Sequence, residues 1–92
     1  MAADFREIVE QGQFRDDKKK LRHSVQRLDE VLSGIIWVLT RLPECFPRIP
    51  GTELYLAKTD AVPPDVPAFY VWFTFDDEHI YLESIEEVPS AE

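Results

Sequence analysis

The stretch from Ala68 to Phe75 constrains the fold more than any other part of the chain. Phe69, Val71, Phe73 and Phe75 fall on one side of a pleated strand, with Tyr70, Trp72 and Thr74 on the other. A strand with four large apolar side chains on one face must hide that face against a second layer. Asp76-Asp77-Glu78 reads as a polar turn, and His79–Ile85 as a returning strand in which Ile80 and Leu82 alternate with Tyr81 and Glu83. Upstream, Thr52–Lys58 alternates as a strand, with Leu54 and Leu56 expected on one face and Glu53 and Tyr55 on the other. Pro50-Gly51 is a turn signal, and Thr59–Pro67, with Pro63, Pro64 and Pro67, is a loop. The result is a three-stranded antiparallel meander.

The cover for this sheet lies earlier in the chain. Apolar residues fall at Phe14, Leu21, Val25, Leu28, Leu32, Ile35, Ile36 and Leu39, and their steps of three, four and seven mark one helical stripe. Ser24 offers an N-cap before Val25, so the stretch divides into two helices, about 14–23 and 25–41. Asp16 and Lys20 form a favourable i,i+4 pair. Gly34 lowers helix propensity by up to about 1 kcal/mol against Ala, which means either close packing of a neighbour or a tolerated cost. Pro43, Pro47 and Pro50 end the second helix and hold an extended connection.

The first residues read two ways. Asp4 and Glu7 resemble a capping box, Phe5, Ile8 and Val9 share helical spacing, and Gly12 is placed to stop a helix. Local signals favour that helix; the alternative is a short edge strand over Glu7–Gln11. The expected architecture is α+β, with two helices packed on one face of a small antiparallel sheet of three to four strands. Residues 1–88 make one domain, and 89–92 make a flexible C-terminal tail. Glu86 onward should fray. The core should join Leu21, Val25, Leu28, Leu32, Ile35, Ile36 and Leu39 to Leu54, Leu56, Phe69, Val71, Phe73, Ile80 and Leu82. The other sheet face would carry Tyr55, Tyr70, Trp72 and Tyr81, and binding is expected there.

Charge narrows the partners. The net charge is −8, unevenly spread. Residues 1–50 hold nine Lys/Arg and eight Asp/Glu; residues 51–92 hold one Lys and ten Asp/Glu. The C-terminal half should repel a phosphate backbone, so direct nucleic-acid binding is disfavoured. Lys18, Lys19, Lys20, Arg22 and Arg27 are the remaining basic candidates, and a solvated helix face explains them. With 92 residues, 45% of them hydrophobic, the chain supports one modest core. One cysteine, Cys45, rules out an internal disulfide and fits a reducing compartment. No basic-then-apolar leader opens the chain, and its longest apolar run, near Gly34–Leu39, is far short of the ~20 residues that span a bilayer. The expectation is a cytoplasmic protein with no membrane partner.

No catalytic constellation stands out. Cys45, His23 and His79 have no spacing that implies contact. Asp76, Asp77, Glu78 and His79 read as a hairpin turn in preference to a cation site. Three glycines make no phosphate loop. Tyr70 and Trp72 have the faces to stack bases, but their acidic surroundings favour protein contacts. No cofactor, metal or catalytic residue is assigned.

Four blocks together resemble the RelE/ParE toxin superfamily, known for plasmid stabilisation: Phe14–Leu21, Leu28–Leu32, Pro47-Arg48-Ile49-Pro50-Gly51-Thr52, and Phe69–Glu78. The ordered set spans roughly residues 7–87. The resemblance implies a chain that begins with an edge strand, which displaces the local helical reading of Glu7–Gln11. It also implies a type II toxin–antitoxin module. RelE-like members are ribosome-dependent mRNA endonucleases, ParE-like members poison DNA gyrase, and an antitoxin silences both. The family's nuclease chemistry uses cations near the open sheet face, to stabilise a phosphorane. Here Tyr70 stands where the family usually has Arg, and the last strand runs into Glu86-Glu87-Val88-Pro89 where the family has a basic tail. Arg48 and Lys58 are the surviving cations. The resemblance therefore implies a toxin-like protein that acts by protein binding through Arg48, Lys58, Tyr70 and Trp72. Its partners would be an antitoxin-like chain or a second copy, with the ribosome or gyrase as possible targets. The alternatives are an mRNA endonuclease using Arg48, Lys58 and Tyr70, and a stand-alone interaction module.

Overall fold

The computed structural model describes residues 6–23, 27–61 and 67–89. In chain order these form β1 (Glu7–Glu10), α1 (Gly12–Arg22), α2 (Leu28–Arg41), a 3₁₀ turn (Pro43–Cys45), β2 (Tyr55–Lys58), β3 (Phe69–Phe75) and β4 (His79–Glu87). Ser24 and Val25, and the Asp4 and Phe5 of the N-terminal reading, lie outside the described residues. So do Pro63, Pro64 and the tail beyond Pro89.

The four strands form one sheet in the order β1-β4-β3-β2. β2, β3 and β4 are the expected antiparallel meander, and β1 joins it parallel to β4, so the sheet is mixed. Gly12 begins α1 and stops nothing. A helix confined to the residues before it would leave most of its main-chain groups unpaired. Pairing with β4 satisfies them instead: Glu7 donates its N–H to the Glu78 carbonyl at 2.9 Å, and Gln11 to that of Leu82 at 3.0 Å.

Both helices pack on one face of the sheet. Phe14, Leu28, Leu32 and Leu39 share a buried cluster with Ala57, Phe69, Val71, Phe73, Ile80, Leu82 and Ile85. α1 contributes more than the apolar spacing indicates. Phe14, Asp17, Lys18 and Leu21, at i, i+3, i+4 and i+7, form its inward face, and the last three are half-buried. Lys18 meets Glu10 of β1 at 2.6 Å, and both side chains are mostly shielded. Lys18 thus leaves the expected solvated basic run.

β4 carries a bulge. Trp72 pairs with Ser84 but Phe73 with Leu82, so Glu83 is an extra residue. The bulge shifts the alternation by one, which turns Ile85 into the core after Ile80 and Leu82. β4 also runs to Glu87, with Glu86 and Glu87 opposite Tyr70 and Phe69, where fraying was expected.

The phase of β2 is opposite to the sequence reading. Ala57 pairs with Val71 and is fully buried, and Tyr55 pairs with Phe73 and stacks on it at 5.6 Å. Tyr55 therefore lies on the helix side, and Leu56, opposite Trp72, on the outer side. Small Ala57 is the residue the core accommodates; the local pattern of Leu54 and Leu56 did not reveal it.

The free edge of β2 is partly capped by residues 47–49. Leu56 N–H donates to the Pro47 carbonyl at 2.9 Å, and Ile49 N–H to that of Leu54 at 2.8 Å. Pro50 and Gly51 make the connecting turn, closed by Thr52 N–H on the Ile49 carbonyl at 3.2 Å. Gly51 has φ of 78°, the left-handed value that the third position of a type II turn demands. Phe46 then meets Phe73 edge-on at 5.8 Å. No helix among the described residues is long and apolar enough to cross a membrane.

Candidate binding face

The outer sheet face follows from register. Tyr70, Trp72 and Thr74 of β3 point away from the helices. Beside them lie Leu56 and Lys58 of β2, and Tyr81, Ser84 and Glu86 of β4. Val9 of β1 lies beyond Tyr81. The Tyr70 and Trp72 rings are 5.7 Å apart, tilted by 56°, and both side chains are half-buried. This is an aromatic surface held in place by the sheet.

Its electrostatics are acidic. Lys58, opposite Tyr70 on one side, is the only Lys or Arg in the four strands. Glu86 sits opposite Tyr70 on the other side. Glu83, the bulge residue, accepts a hydrogen bond from the Thr74 hydroxyl at 3.1 Å, which holds its carboxylate on this face. A phosphate brought here would meet one ammonium, on β2, against two carboxylates, on β4.

Of the four expected site residues, the structure brings three together. Lys58, Tyr70 and Trp72 are neighbours on β2 and β3. Arg48 is not among them. It bridges to Tyr55, so it lies at the opposite end of β2 and on the helix side of the sheet. Arg48 and Lys58 are thus separated by roughly 10 Å along the strand and by the sheet itself.

One end of the sheet is organised by Asp76. Its Oδ1 accepts the N–H groups of Glu78 and His79, each at 2.8 Å, and its Oδ2 accepts the Tyr81 hydroxyl at 3.1 Å. Arg6 Nε donates to the Asp76 carbonyl at 2.6 Å. The turn N–H groups of Glu78 and His79 hold the Asp76 carboxyl below its ordinary pKa, with smaller help from Tyr81 and His79. Tyr81 is pushed up, first by desolvation and then by its bond to Asp76. This is an Asx-type turn. Among the described residues no group of three or more His, Cys, Asp or Glu is placed to hold a metal ion.

The basic run from Lys18 to Arg27 is engaged in part. Besides the Lys18–Glu10 pair, Arg22 meets Asp29 at 2.9 Å and Arg27 meets Glu30 at 3.0 Å. Lys19 and Lys20 remain as exposed cations, beside Asp16.

Sequence reasoning missed Trp37. It lies on the outward face of α2 and is 59% exposed, with the Arg41 guanidinium 4.1 Å from its ring centroid. The signal was present: Trp37 falls off the apolar stripe of α2, where a helix normally carries polar residues.

The fold and this face define an α+β domain with helices on one side of a mixed sheet and an aromatic, acid-rimmed surface on the other. No protein-family model, no curated protein and no solved structure matches the chain.

Proposed function

We propose that this chain is a toxin-like protein of the RelE/ParE type that acts by binding another protein, with the outer sheet face as its working surface. The observation that carries this reading is the pairing of Tyr70 and Trp72 on a face with one cation, Lys58 on β2, and two carboxylates, Glu83 and Glu86, on β4. Aromatic side chains offer large contact area at low entropic cost, and the carboxylates select against phosphate. The parallel edge strand β1 beside the last strand further supports the family resemblance. Its partner is an antitoxin-like chain, its target a cytoplasmic protein such as gyrase or a ribosomal component, and its compartment the cytoplasm.

The test is induced expression in bacteria, comparing wild type, Tyr70→Ala/Trp72→Ala and Arg48→Ala/Lys58→Ala. Wild type is expected to slow growth with cellular mRNA intact. The aromatic double variant should lose the effect while remaining folded, and the basic double variant should keep it. Cleaved mRNA with loss of toxicity in Arg48→Ala/Lys58→Ala would replace this reading by the ribosome-dependent endonuclease. Normal growth together with purification from the native host free of any protein partner would remove both.

A further inference from the structure

On the outward face of α2, Gly34 and the exposed Trp37 have no role in the packing of the monomer's described residues. Glu30, Gly34, Trp37 and Arg41 recur at i, i+4, i+7 and i+11, which places them in one stripe opposite the buried Leu28, Leu32 and Leu39. Gly34 weakens the helix, yet a Cβ built there meets nothing within 4 Å. No neighbour in the monomer requires the glycine, and its own Trp37 does not cover it. Beside Gly34 lies a groove of about 330 Å³ between α2 and the end of β2, floored by Val31 and Ile35 and walled by Lys58, Thr59 and Asp60. One turn along, Trp37 stands exposed.

We propose that α2 is a self-association surface, on which two copies pair antiparallel about a two-fold axis and each Trp37 seats in the groove at the other copy's Gly34. The spacing makes the contact self-complementary. Glu30 lies four residues before Gly34, and Trp37 lies four before Arg41. In an antiparallel pairing that sets Trp37 on Gly34, Glu30 of each copy therefore falls opposite Arg41 of the other. Both positions of the two-fold are matched in shape and in charge, as an isologous interface requires. Glu30 reaches Arg41 by leaving Arg27, an exposed i,i+3 partner, and such surface pairs hold their members weakly. Arg41 keeps its stacking on Trp37, which presents the indole and the guanidinium together. The glycine then has a reason: it is the hole that a neighbouring tryptophan fills. This surface adjoins the outer sheet face at Lys58, which lines the groove and also stands beside Tyr70.

A contact centred on one helix lies at the small end of protein interfaces, so the dimer is weak and concentration-dependent. Sedimentation equilibrium of the full chain, up to the millimolar range, is the measurement. Wild type is expected to shift from monomer to dimer. Gly34→Gln fills the hole with a good helix former, and Trp37→Ala removes the knob. Each should weaken association at least tenfold with the helical circular-dichroism signal retained. Glu30→Arg and Arg41→Glu should each weaken it, and Glu30→Arg/Arg41→Glu in one chain should restore it by exchanging the charges. A wild type that stays monomeric throughout overturns the proposal. So does a dimer indifferent to Gly34→Gln and Trp37→Ala, or a double exchange no tighter than the single ones.

Discussion

The carboxylate of Asp17, midway along α1, accepts the main-chain N–H of Ile85 at 3.2 Å, across 68 residues of sequence. Ile85 pairs with Val71 of β3 and lies past the end of β1, whose last residue, Glu10, pairs with Leu82. Beyond the end of β1 that edge of β4 has no strand partner, and Asp17 provides an acceptor from the helix layer. Gln13 donates to the other carboxylate oxygen at 2.7 Å and steadies it. The acid thus ties α1 to the strand segment whose shifted phase puts Ile85 in the core.

Asp17→Ala should therefore destabilise the fold by about 1–3 kcal/mol, since a part-buried N–H loses its acceptor. Asp17→Asn keeps an oxygen in place and should cost less. Urea unfolding distinguishes the two. Equal stability of wild type and Asp17→Ala would mean that water replaces the carboxylate at no cost.

Gly34→Ala should raise monomer stability by about 0.5–1 kcal/mol, because the added methyl enters open space on an exposed helical turn. The measurement is thermal or urea unfolding at low protein concentration, where association does not contribute. A loss of stability would place an intramolecular neighbour against Gly34.

The turn at Asp76 gives the fold a pH dependence at both extremes. The carboxyl is held below its ordinary 3.8 when folded, so it contributes stability above that pH, and the contribution is lost as pH falls through the lowered value. Tyr81 behaves oppositely. Its pKa is raised above 10.0 when folded, so its contribution is present below that pH and lost as pH rises through the raised value. Asp76→Asn should flatten the acid limb of a stability-against-pH curve. It should also move the Tyr81 titration, followed by tyrosinate absorbance, part of the way back toward 10.0. A tyrosinate curve unchanged in Asp76→Asn would assign the Tyr81 shift to desolvation and to the nearby Glu78 carboxylate.

The acid rim of the outer face is open to a direct test. Glu83→Gln/Glu86→Gln removes two negative charges beside Tyr70 and Trp72 while keeping an acceptor for the Thr74 hydroxyl. Single-stranded RNA binding at low salt, read by fluorescence anisotropy, should rise severalfold over wild type and fall again with added salt. Identical weak binding by both proteins would show that the face does not take bases even when its charge is relieved.

The primary sequence by itself determined the α+β layering, the two helices, the Pro50-Gly51 turn and the strand β3. Each rests on short-range periodicity or turn chemistry, which a few neighbouring residues encode. It also placed Tyr70 and Trp72 on one surface, because alternation along a long aromatic strand is unambiguous; Lys58 joins them only through the phase of β2, which alternation within β2 had reversed. Tertiary structure decided the rest. Glu7–Glu10 is a strand because β4 lies beside it, and its own residues fit a helix equally well. Tyr55 turns inward because Ala57 fits opposite Val71, a choice between two apolar faces that only the neighbouring strand makes. Asp17 and Lys18 look like solvated charges until β4 and β1 bring an N–H and a carboxylate to them. Arg48 leaves the site because a bridge to Tyr55 fixes its side of the sheet. In each case the deciding partner is distant in sequence, and the energy that settles the conformation is in the pairing.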